Sequence, residues 1–239
     1  MKIATLLYSI LDIISPSHCA VCGQPVGSPE YNVCKNCADR VKLINDGCPV
    51  CSGTLTDGYC RICSERTFYP TKNIILAEYS GVMKELLHKL KFNGMKRLHV
   101  PIGRMAIKAL TRRDVRADLI TSVPMNSRKR WKRGFNQSEL IAKLISKKSS
   151  IPYRRLLKEK RKSVTQRELG LRHRFINVIN RYRVIRGAVF RDKSVLIIDD
   201  VFTTGATINE CARVLLAAGA RDVFSMTIAK SSIHRPDNT

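Results

Sequence analysis

Two adjacent acids and the loop that follows them are the residues whose types and spacing could do chemistry. Residues 195–198 form an apolar run typical of a buried parallel strand, and Asp199 and Asp200 follow it directly. A helical pattern over residues 208–218 comes after the loop, and a helix N-terminus attracts anions. The loop offers hydroxyls and one glycine: Thr203, Thr204, Gly205, Ala206 and Thr207.

The loop and the acids suit different parts of one ligand. Gly205 lets the backbone approach a phosphate closely, so that loop N–H groups and the helix N-terminus can hold it. Asp199 and Asp200 would repel a phosphate, but carboxylates accept hydrogen bonds from sugar hydroxyls or hold a divalent metal through water. The segment therefore predicts a ribose 5-phosphate site at the carboxyl edge of an α/β sheet. The simpler interpretation, a core strand with a solvated acidic end and a threonine cap, leaves the order of these features unexplained.

Residues 195–207 resemble the phosphoribosyl pyrophosphate (PRPP) signature of type I phosphoribosyltransferases at every position. The resemblance implies that Asp199 and Asp200 contact the ribose hydroxyls and that the loop from Thr203 to Thr207 holds the 5′-phosphate. It also implies that Mg²⁺ accompanies PRPP.

Eight of the nine cysteines form four Cys-x-x-Cys pairs before residue 64. Two pairs complete a tetrahedral site, and four thiolates favour zinc. We expect two structural Zn²⁺ ions, with the first two pairs on one ion and the last two on the other; an interleaved arrangement stays open. The alternative of a disulfide framework lacks a credible export signal. The expected ligands are Cys19, Cys22, Cys34, Cys37, Cys48, Cys51, Cys60 and Cys63.

Positive charge is concentrated in the middle of the chain. The net charge is +24, and residues 128–174 hold 17 Lys or Arg against three Glu. Such a density attracts polyanions. Trp131 and Phe135 either stack on nucleobases or pack against the protein, Phe135 in the core and Trp131 over a helix. A diphosphate or DNA phosphates would meet Arg128, Lys129, Arg130, Lys132 and Arg133.

The segment over residues 158–177 is basic and polar, and Gly170 weakens its helical pattern. Thr165, Gln166 and Arg174 give it hydrogen-bonding groups, which favours a mobile flap that closes over a bound diphosphate. The alternative is an exposed linker.

Strands and helices alternate after residue 68, which predicts a mainly parallel α/β sheet. Cys211, in the last predicted helix, is expected to be a buried apolar residue. The apolar run over residues 3–14 is too short to span a bilayer and predicts an amphipathic helix packed on the protein, with a peripheral membrane role as the alternative. We expect an N-terminal helix and double zinc ribbon in residues 1–68 and a phosphoribosyltransferase-like domain in residues 69–239. Expected strands cover residues 73–79, 118–123, 195–199 and 222–229, and expected helices cover residues 82–91, 98–110, 134–147 and 208–218.

Taken in order, these segments resemble the ComF family of competence proteins over nearly the whole chain. The resemblance rests on the cysteine pairs, Val123-Pro124 with Arg130 and residues 133–137, then Thr165-Gln166 with Arg174 and Asn177, and residues 195–207. It implies a cytoplasmic bacterial protein that assists natural transformation. Such a protein acts on incoming single-stranded DNA, beside a competence helicase and the inner-membrane uptake machinery.

Two functions follow as hypotheses. The first is a DNA-uptake accessory protein that binds single-stranded DNA and a PRPP-like ligand. The second is an active phosphoribosyltransferase, with Asp199 and Asp200 as catalytic residues that orient the ribose and Mg²⁺ as cofactor. The acceptor, and whether the site turns over at all, stay open.

Overall fold

The computed structural model describes residues 18–27, 32–60, 63–64, 66–160 and 180–231. Two predictions lie outside these residues: the helix over residues 3–14, and the flap residues Thr165, Gln166 and Arg174. In the part of the chain that is described, no helix is long and apolar enough to cross a bilayer.

A four-stranded parallel sheet is the centre of the fold. The described residues form strands β1 (Lys72–Glu78), β2 (Leu119–Ser122), β3 (Leu157–Glu159), β4 (Tyr182–Val184), β5 (Ser194–Phe202) and β6 (Asp222–Lys230). The sheet has the order β1-β6-β5-β2, and every neighbouring pair in it is parallel. The first six residues of β5 are all buried, as expected of a strand that is covered on both faces.

Helices cover the two faces of this sheet. The described helices are α1 (Lys35–Asp39), α2 (Gly81–Phe92), α3 (His99–Arg112), α4 (Ser127–Arg133), α5 (Gln137–Ser149) and α6 (Ala206–Ala217), with a 3₁₀ turn at Lys96–Leu98, and of these α2, α3, α5 and α6 pack on the sheet. Leu196 and Ile198 pack on the face shared with α2, α3 and α5, whereas Val195 and Ile197 pack on the face shared with α6. The predicted parallel α/β architecture is confirmed.

The helix expected over residues 134–147 begins later than predicted, and a short helix precedes it. Gly134 has φ of 75°, a conformation that suits glycine, and it ends α4. Asn136 then caps α5, because its Oδ1 accepts a hydrogen bond from the Ser138 N–H at 3.1 Å. The Asn136 Nδ2 also donates to the Val123 carbonyl at 2.9 Å, which fixes the turn to the end of β2.

A small antiparallel hairpin lies where the flap was expected to begin. Lys158 and Glu159 belong to β3, which pairs with β4, so the first two residues of the expected flap are strand residues, and the flap itself stays a prediction. Arg181, which directly precedes β4, adds an ion pair to this pairing, since its guanidinium donates to Glu159 at 2.8 Å. Both strands are only three residues long, too short for the alternating pattern by which a strand is recognised.

The cysteine-bearing segments pack directly on the sheet. Residues 42–44 lie along β1, where the Ile44 N–H donates to the Leu76 carbonyl and the Glu78 N–H donates to the Lys42 carbonyl. This contact covers the edge of β1, which would otherwise expose unpaired backbone groups. The domain boundary between residues 68 and 69 stays a prediction.

Ile198 tests how far the sheet core holds the fold. Its side chain is fully buried in β5, so Ile198→Ala should lower the free energy of unfolding by about 2–5 kcal/mol in urea titrations. Val189→Ala is the control, because Val189 is 86% exposed and should change stability by less than about 0.5 kcal/mol. Equal effects of the two substitutions would contradict this core.

Candidate functional site

The two acids lie inside β5. The strand extends to Phe202, beyond its expected end at residue 199, because Asp199, Val201 and Phe202 pair with Thr227, Ala229 and Lys230 of β6. Neighbouring residues of a strand point to opposite faces, so the two carboxylates leave the strand in different directions.

Asp199 is buried at the carboxyl end of the sheet. Its Oδ1 accepts a hydrogen bond from the Asp200 N–H at 2.8 Å and one from the Ser138 hydroxyl at 3.4 Å. Burial raises the pKa of Asp199 to about 7, and the charge of Asp200 adds to the rise. This carboxylate can therefore exchange a proton near neutral pH.

Asp200 is held by a lysine that the sequence did not reveal. Lys91, in the last turn of α2, places its ammonium 2.9 Å from Asp200 Oδ2, and both side chains are mostly shielded from solvent. The Lys91 ammonium balances one of the two neighbouring negative charges, that of Asp200. Lys91 ends a predicted helix and Ser138 lies near the start of another, and neither position has a motif that could have marked it as part of the site.

The phosphate loop, Thr203 to Thr207, follows the acids as expected. Gly205 has φ of 78°, and a Cβ on it would lie 2.7 Å from the Phe202 ring, so only glycine fits there. Thr204 Oγ1 accepts from the Ala206 N–H at 3.4 Å, and α6 begins at Ala206. A hollow of about 10 Å³, room for about one water, lies between this loop and Asp199. The structure thus brings together the acid pair, the loop and a helix N-terminus.

The predicted basic run lies at the same edge of the sheet, on α4 after β2. Arg128, Lys129 and Lys132 are exposed. Arg130 is engaged by Glu139 at 3.0 Å, and Arg133 lies over the Phe92 ring at 4.9 Å.

The two aromatic residues of this run differ. Phe135 is buried, so for this residue the interpretation as a core side chain is the one confirmed. Trp131 is 88% exposed, so the alternative in which it covers a helix is wrong.

The cysteines form two clusters in sequential order. The first cysteine cluster is Cys19, Cys22, Cys34 and Cys37, and the second cysteine cluster is Cys48, Cys51, Cys60 and Cys63. Within each, the sulfurs lie within 4.8 Å of one another, and one pair in each cluster is 3.6 Å apart. Tetrahedral zinc with bonds of about 2.3 Å places its sulfurs about 3.8 Å apart, so both clusters fit Zn²⁺. No disulfide joins any of the nine cysteines, all of which lie in the described residues, and Cys211 is fully buried as expected.

Backbone N–H groups point at these sulfurs. The Val21 and Cys34 N–H groups donate to Cys19 Sγ, and the Val50 N–H donates to Cys48 Sγ. Burial works to raise the pKa of Cys19, but N–H donors, with those of Cys22 and Cys34 first, outweigh it and hold the pKa at about 6. A thiolate is the form that binds a metal.

The comparisons first define the class. Residues 136–237 match the family model described as "Phosphoribosyl transferase domain". Together with the parallel sheet, the acid pair and the phosphate loop, this match shows a phosphoribosyltransferase-like α/β fold, accompanied by two cysteine clusters.

Named relatives are similar to the chain over most of its length. The chain is 28% identical over 216 residues to "DNA utilization protein YhgH" of Escherichia coli K12, with 87% of this chain and 94% of that protein covered. It is 24% identical to "Competence protein F" of Haemophilus influenzae, covering 89% and 96%, and 27% identical to "Competence protein ComFC" of Bacillus subtilis, covering 85% and 86%. The chain is homologous to these proteins over most of its length, which confirms the resemblance to the ComF family.

Metal content tests the cysteine clusters. Protein purified with zinc should hold about two Zn²⁺ per chain by elemental analysis, and Cys48→Ser should hold about one, since each cluster completes one site. Cys211→Ala is the control and should keep about two. A wild-type chain with one ion or none would refute the assignment.

The pH dependence of stability tests the burial of Asp199. Its pKa is raised from 3.8 to about 7, so the native chain keeps a proton that the unfolded chain has lost. The raised pKa of Asp199 stabilises the native chain fully below about pH 4, and this stabilisation is lost as pH rises through about 7. Asp199→Asn should therefore gain at least about 1 kcal/mol relative to wild type between pH 5.5 and pH 8 in urea titrations.

Asp46→Asn is the control for the loss of one carboxylate, because Asp46 is exposed. A constant difference between wild type and Asp199→Asn across this pH range would show that Asp199 is not a buried acid.

Proposed function

We propose that this protein is a DNA-uptake accessory protein that binds single-stranded DNA and holds a PRPP-like ribose-phosphate ligand. One observation carries the proposal: the acid pair with its phosphate loop and an exposed basic helix lie at the same edge of the sheet. The names of the relatives, which refer to competence and DNA utilization, point to the same biological role.

The DNA would lie on a basic-aromatic surface, which we define as Phe92, Arg128, Lys129, Trp131, Lys132 and Arg133. Trp131 and Phe92 are 88% and 63% exposed, an unusual state for large aromatic side chains. Such rings are platforms on which unpaired bases stack, each worth about 1–3 kcal/mol. The cations of α4 would supply the attraction to successive phosphates, and one of them, Arg133, lies against the Phe92 ring.

The ribose-phosphate ligand would be divided between the loop and the acids. Loop N–H groups and the N-terminus of α6 favour the phosphate, while Asp199 and Asp200 accept hydrogen bonds from the sugar hydroxyls. Carboxylate oxygens are also the ligands that Mg²⁺ prefers, and Mg²⁺ would neutralise part of a bound diphosphate. Lys91 would reduce the repulsion between the two carboxylates while the site is free of ligand, since it pairs with Asp200.

The second candidate is turnover by a phosphoribosyltransferase mechanism. It is favoured by Asp199, whose pKa burial raises to about 7, because a carboxylate with that pKa can take a proton from an acceptor at neutral pH. Positioning by the loop and stabilisation of departing pyrophosphate by the basic run would supply the rest. Release of pyrophosphate from PRPP that depends on an added acceptor would establish this candidate.

In the accessory role the protein would work on the incoming strand at the inner face of the membrane. Its expected partners are a competence helicase and the uptake machinery. The cysteine-bearing segment would supply the protein contacts, because the basic run that suits DNA lies on the larger part of the chain.

Trp131 makes the DNA contact measurable, because it is the single tryptophan of the chain. Oligo(dT) should quench its fluorescence saturably, and the logarithm of the association constant should fall linearly with the logarithm of salt concentration. Trp131→Ala should weaken binding of labelled oligo(dT) about fivefold or more by anisotropy. Lys132→Ala should lower the salt slope by about 0.7 if it neutralises one phosphate.

Lys193→Ala is the matched control for Lys132→Ala. Lys193 is also an exposed lysine, but it precedes β5 and so lies at the opposite edge of the sheet. Affinity that does not change with salt, or equal effects of the two lysine substitutions, would rule out the basic-aromatic surface as the DNA site.

A further inference from the structure

Lys91 supplies positive charge directly beside the acid pair. Its ammonium lies 2.9 Å from Asp200 Oδ2, and only 14% of the lysine side chain and 20% of the aspartate side chain are exposed. Burial raises the pKa of Asp199 and the charge of Asp200 adds to the rise, while the Lys91 ammonium works to lower it. Lys91 therefore acts on both carboxylates, as a bound cation would.

Helix α2 fixes where this ammonium lies. Leu87 and Leu90 of the helix are fully buried, so a shift of the helix would open cavities in the core. Lys89, two residues before Lys91, donates to the Ala20 carbonyl, which ties the same turn to the segment that bears the first cysteine cluster. A cation in the last turn of a helix also meets the negative end of the helix dipole. The ammonium is thus held in place before any ligand binds.

The acid pair itself is poorly arranged to hold a divalent metal. The two carboxylates leave β5 toward opposite faces of the sheet, so they do not point at one ion. Asp199 Oδ1 already accepts from the Asp200 N–H at 2.8 Å and from the Ser138 hydroxyl at 3.4 Å. Asp200 Oδ2 accepts from Lys91, whose charge would repel a second cation at that oxygen. Mg²⁺ requires near-octahedral oxygen ligands at about 2.0–2.1 Å, which this arrangement does not offer.

Lys91 also lies beside the basic run of α4. The next residue, Phe92, lies under the Arg133 guanidinium, 4.9 Å from the ring centroid. The end of α2 therefore joins the acid pair to the basic run. An ammonium has three donors, and Asp200 Oδ2 accepts one of them, so the other two can donate to oxygen atoms of a ligand. A diphosphate on a ribose that the acids hold would meet cations of both helices.

We propose that Lys91 takes the place of a metal ion in the ribose-phosphate site. Its ammonium stays paired with Asp200 and donates hydrogen bonds to the diphosphate of a phosphorylated ribose, so that this ligand binds without Mg²⁺. The proposal rests on the proposed function and names the charge that holds the diphosphate. A Mg²⁺ ion carried by the diphosphate in solution would add little to the affinity, because Lys91 and the basic run neutralise the same oxygen atoms.

Calorimetric titration of the zinc-loaded full chain with PRPP tests this role of Lys91. Each protein is measured in buffer with millimolar Mg²⁺ and in Mg²⁺-free buffer without a chelator, because a chelator would remove the zinc. The wild-type affinity should differ by less than about threefold between the two buffers. Lys91→Met should lose about tenfold or more in the Mg²⁺-free buffer, and Mg²⁺ should restore most of that loss.

Lys84→Met is the matched control, because it removes a lysine from the first turn of the same helix. Lys84 is exposed, so its variant should bind PRPP as the wild type does in both buffers. Ribose 5-phosphate is the matched ligand, since it lacks the diphosphate. Its affinity should change by less than about threefold in Lys91→Met, with or without Mg²⁺.

A measurement on the wild type keeps the test sharp if Lys91→Met fails to fold. Mn²⁺ prefers the same oxygen ligands as Mg²⁺, and its electron paramagnetic resonance signal falls when the ion binds to a protein. Without ligand, the wild type and Asp200→Asn should reduce this signal equally, because Lys91 already occupies the place of the metal. A saturable Mn²⁺ site that Asp200→Asn removes would overturn the proposal.

The outcomes separate this proposal from the proposed function. Wild-type binding of PRPP that requires Mg²⁺ would overturn the role of Lys91 and leave the ribose-phosphate site standing. No loss in Lys91→Met would also overturn it, and so would equal losses with both ligands in both buffers, because the lysine would then only order the site. If neither PRPP nor ribose 5-phosphate binds to the wild type in either buffer, the ribose-phosphate site itself fails and the proposal fails with it.

Discussion

The structure depends on two neighbouring carboxylates at the end of a buried parallel strand. Like charges at such a position repel each other and resist burial. Two features of the chain reduce this cost. Lys91 neutralises Asp200 across 2.9 Å, while Asp199, buried and beside that charge, keeps its proton to about pH 7. Because α2 must bring Lys91 to this point and the start of α5 must bring Ser138, the acid pair constrains where both helices lie.

The cysteine clusters are the second constraint. Segments this short bury too little apolar surface to fold alone, and metal binding supplies free energy that a small core cannot. The second cluster also packs around Phe202, the last residue of the strand that bears the acids. The second cysteine cluster and the phosphate loop therefore share Phe202, so order in that cluster is linked to the shape of the proposed ribose-phosphate site.

Sequence alone predicted the parallel sheet, both cysteine clusters and the loop, because each is a local pattern: an apolar run, a fixed spacing, a glycine. It missed contacts between distant segments. Lys91 reaches Asp200 only through the packing of α2, and the hairpin of β3 and β4 pairs residues about 25 apart in very short strands. Trp131 was ambiguous for the same reason, since its exposure depends on where α4 lies and its local sequence is compatible with either position.

The central claim is that the acid pair and the phosphate loop form a working ribose-phosphate site. The most direct measurement is calorimetric titration of the zinc-loaded protein with PRPP and Mg²⁺. The titration is repeated on the double variant Asp199→Asn/Asp200→Asn. The matched control is the double variant Asp114→Asn/Asp192→Asn, because these two acids lie at the opposite edge of the sheet, before β2 and β5. Saturable binding by the wild type and the control, lost in the first variant while its zinc content is retained, is the result that this account predicts. Equal binding by all three proteins, or none by the wild type, would contradict it.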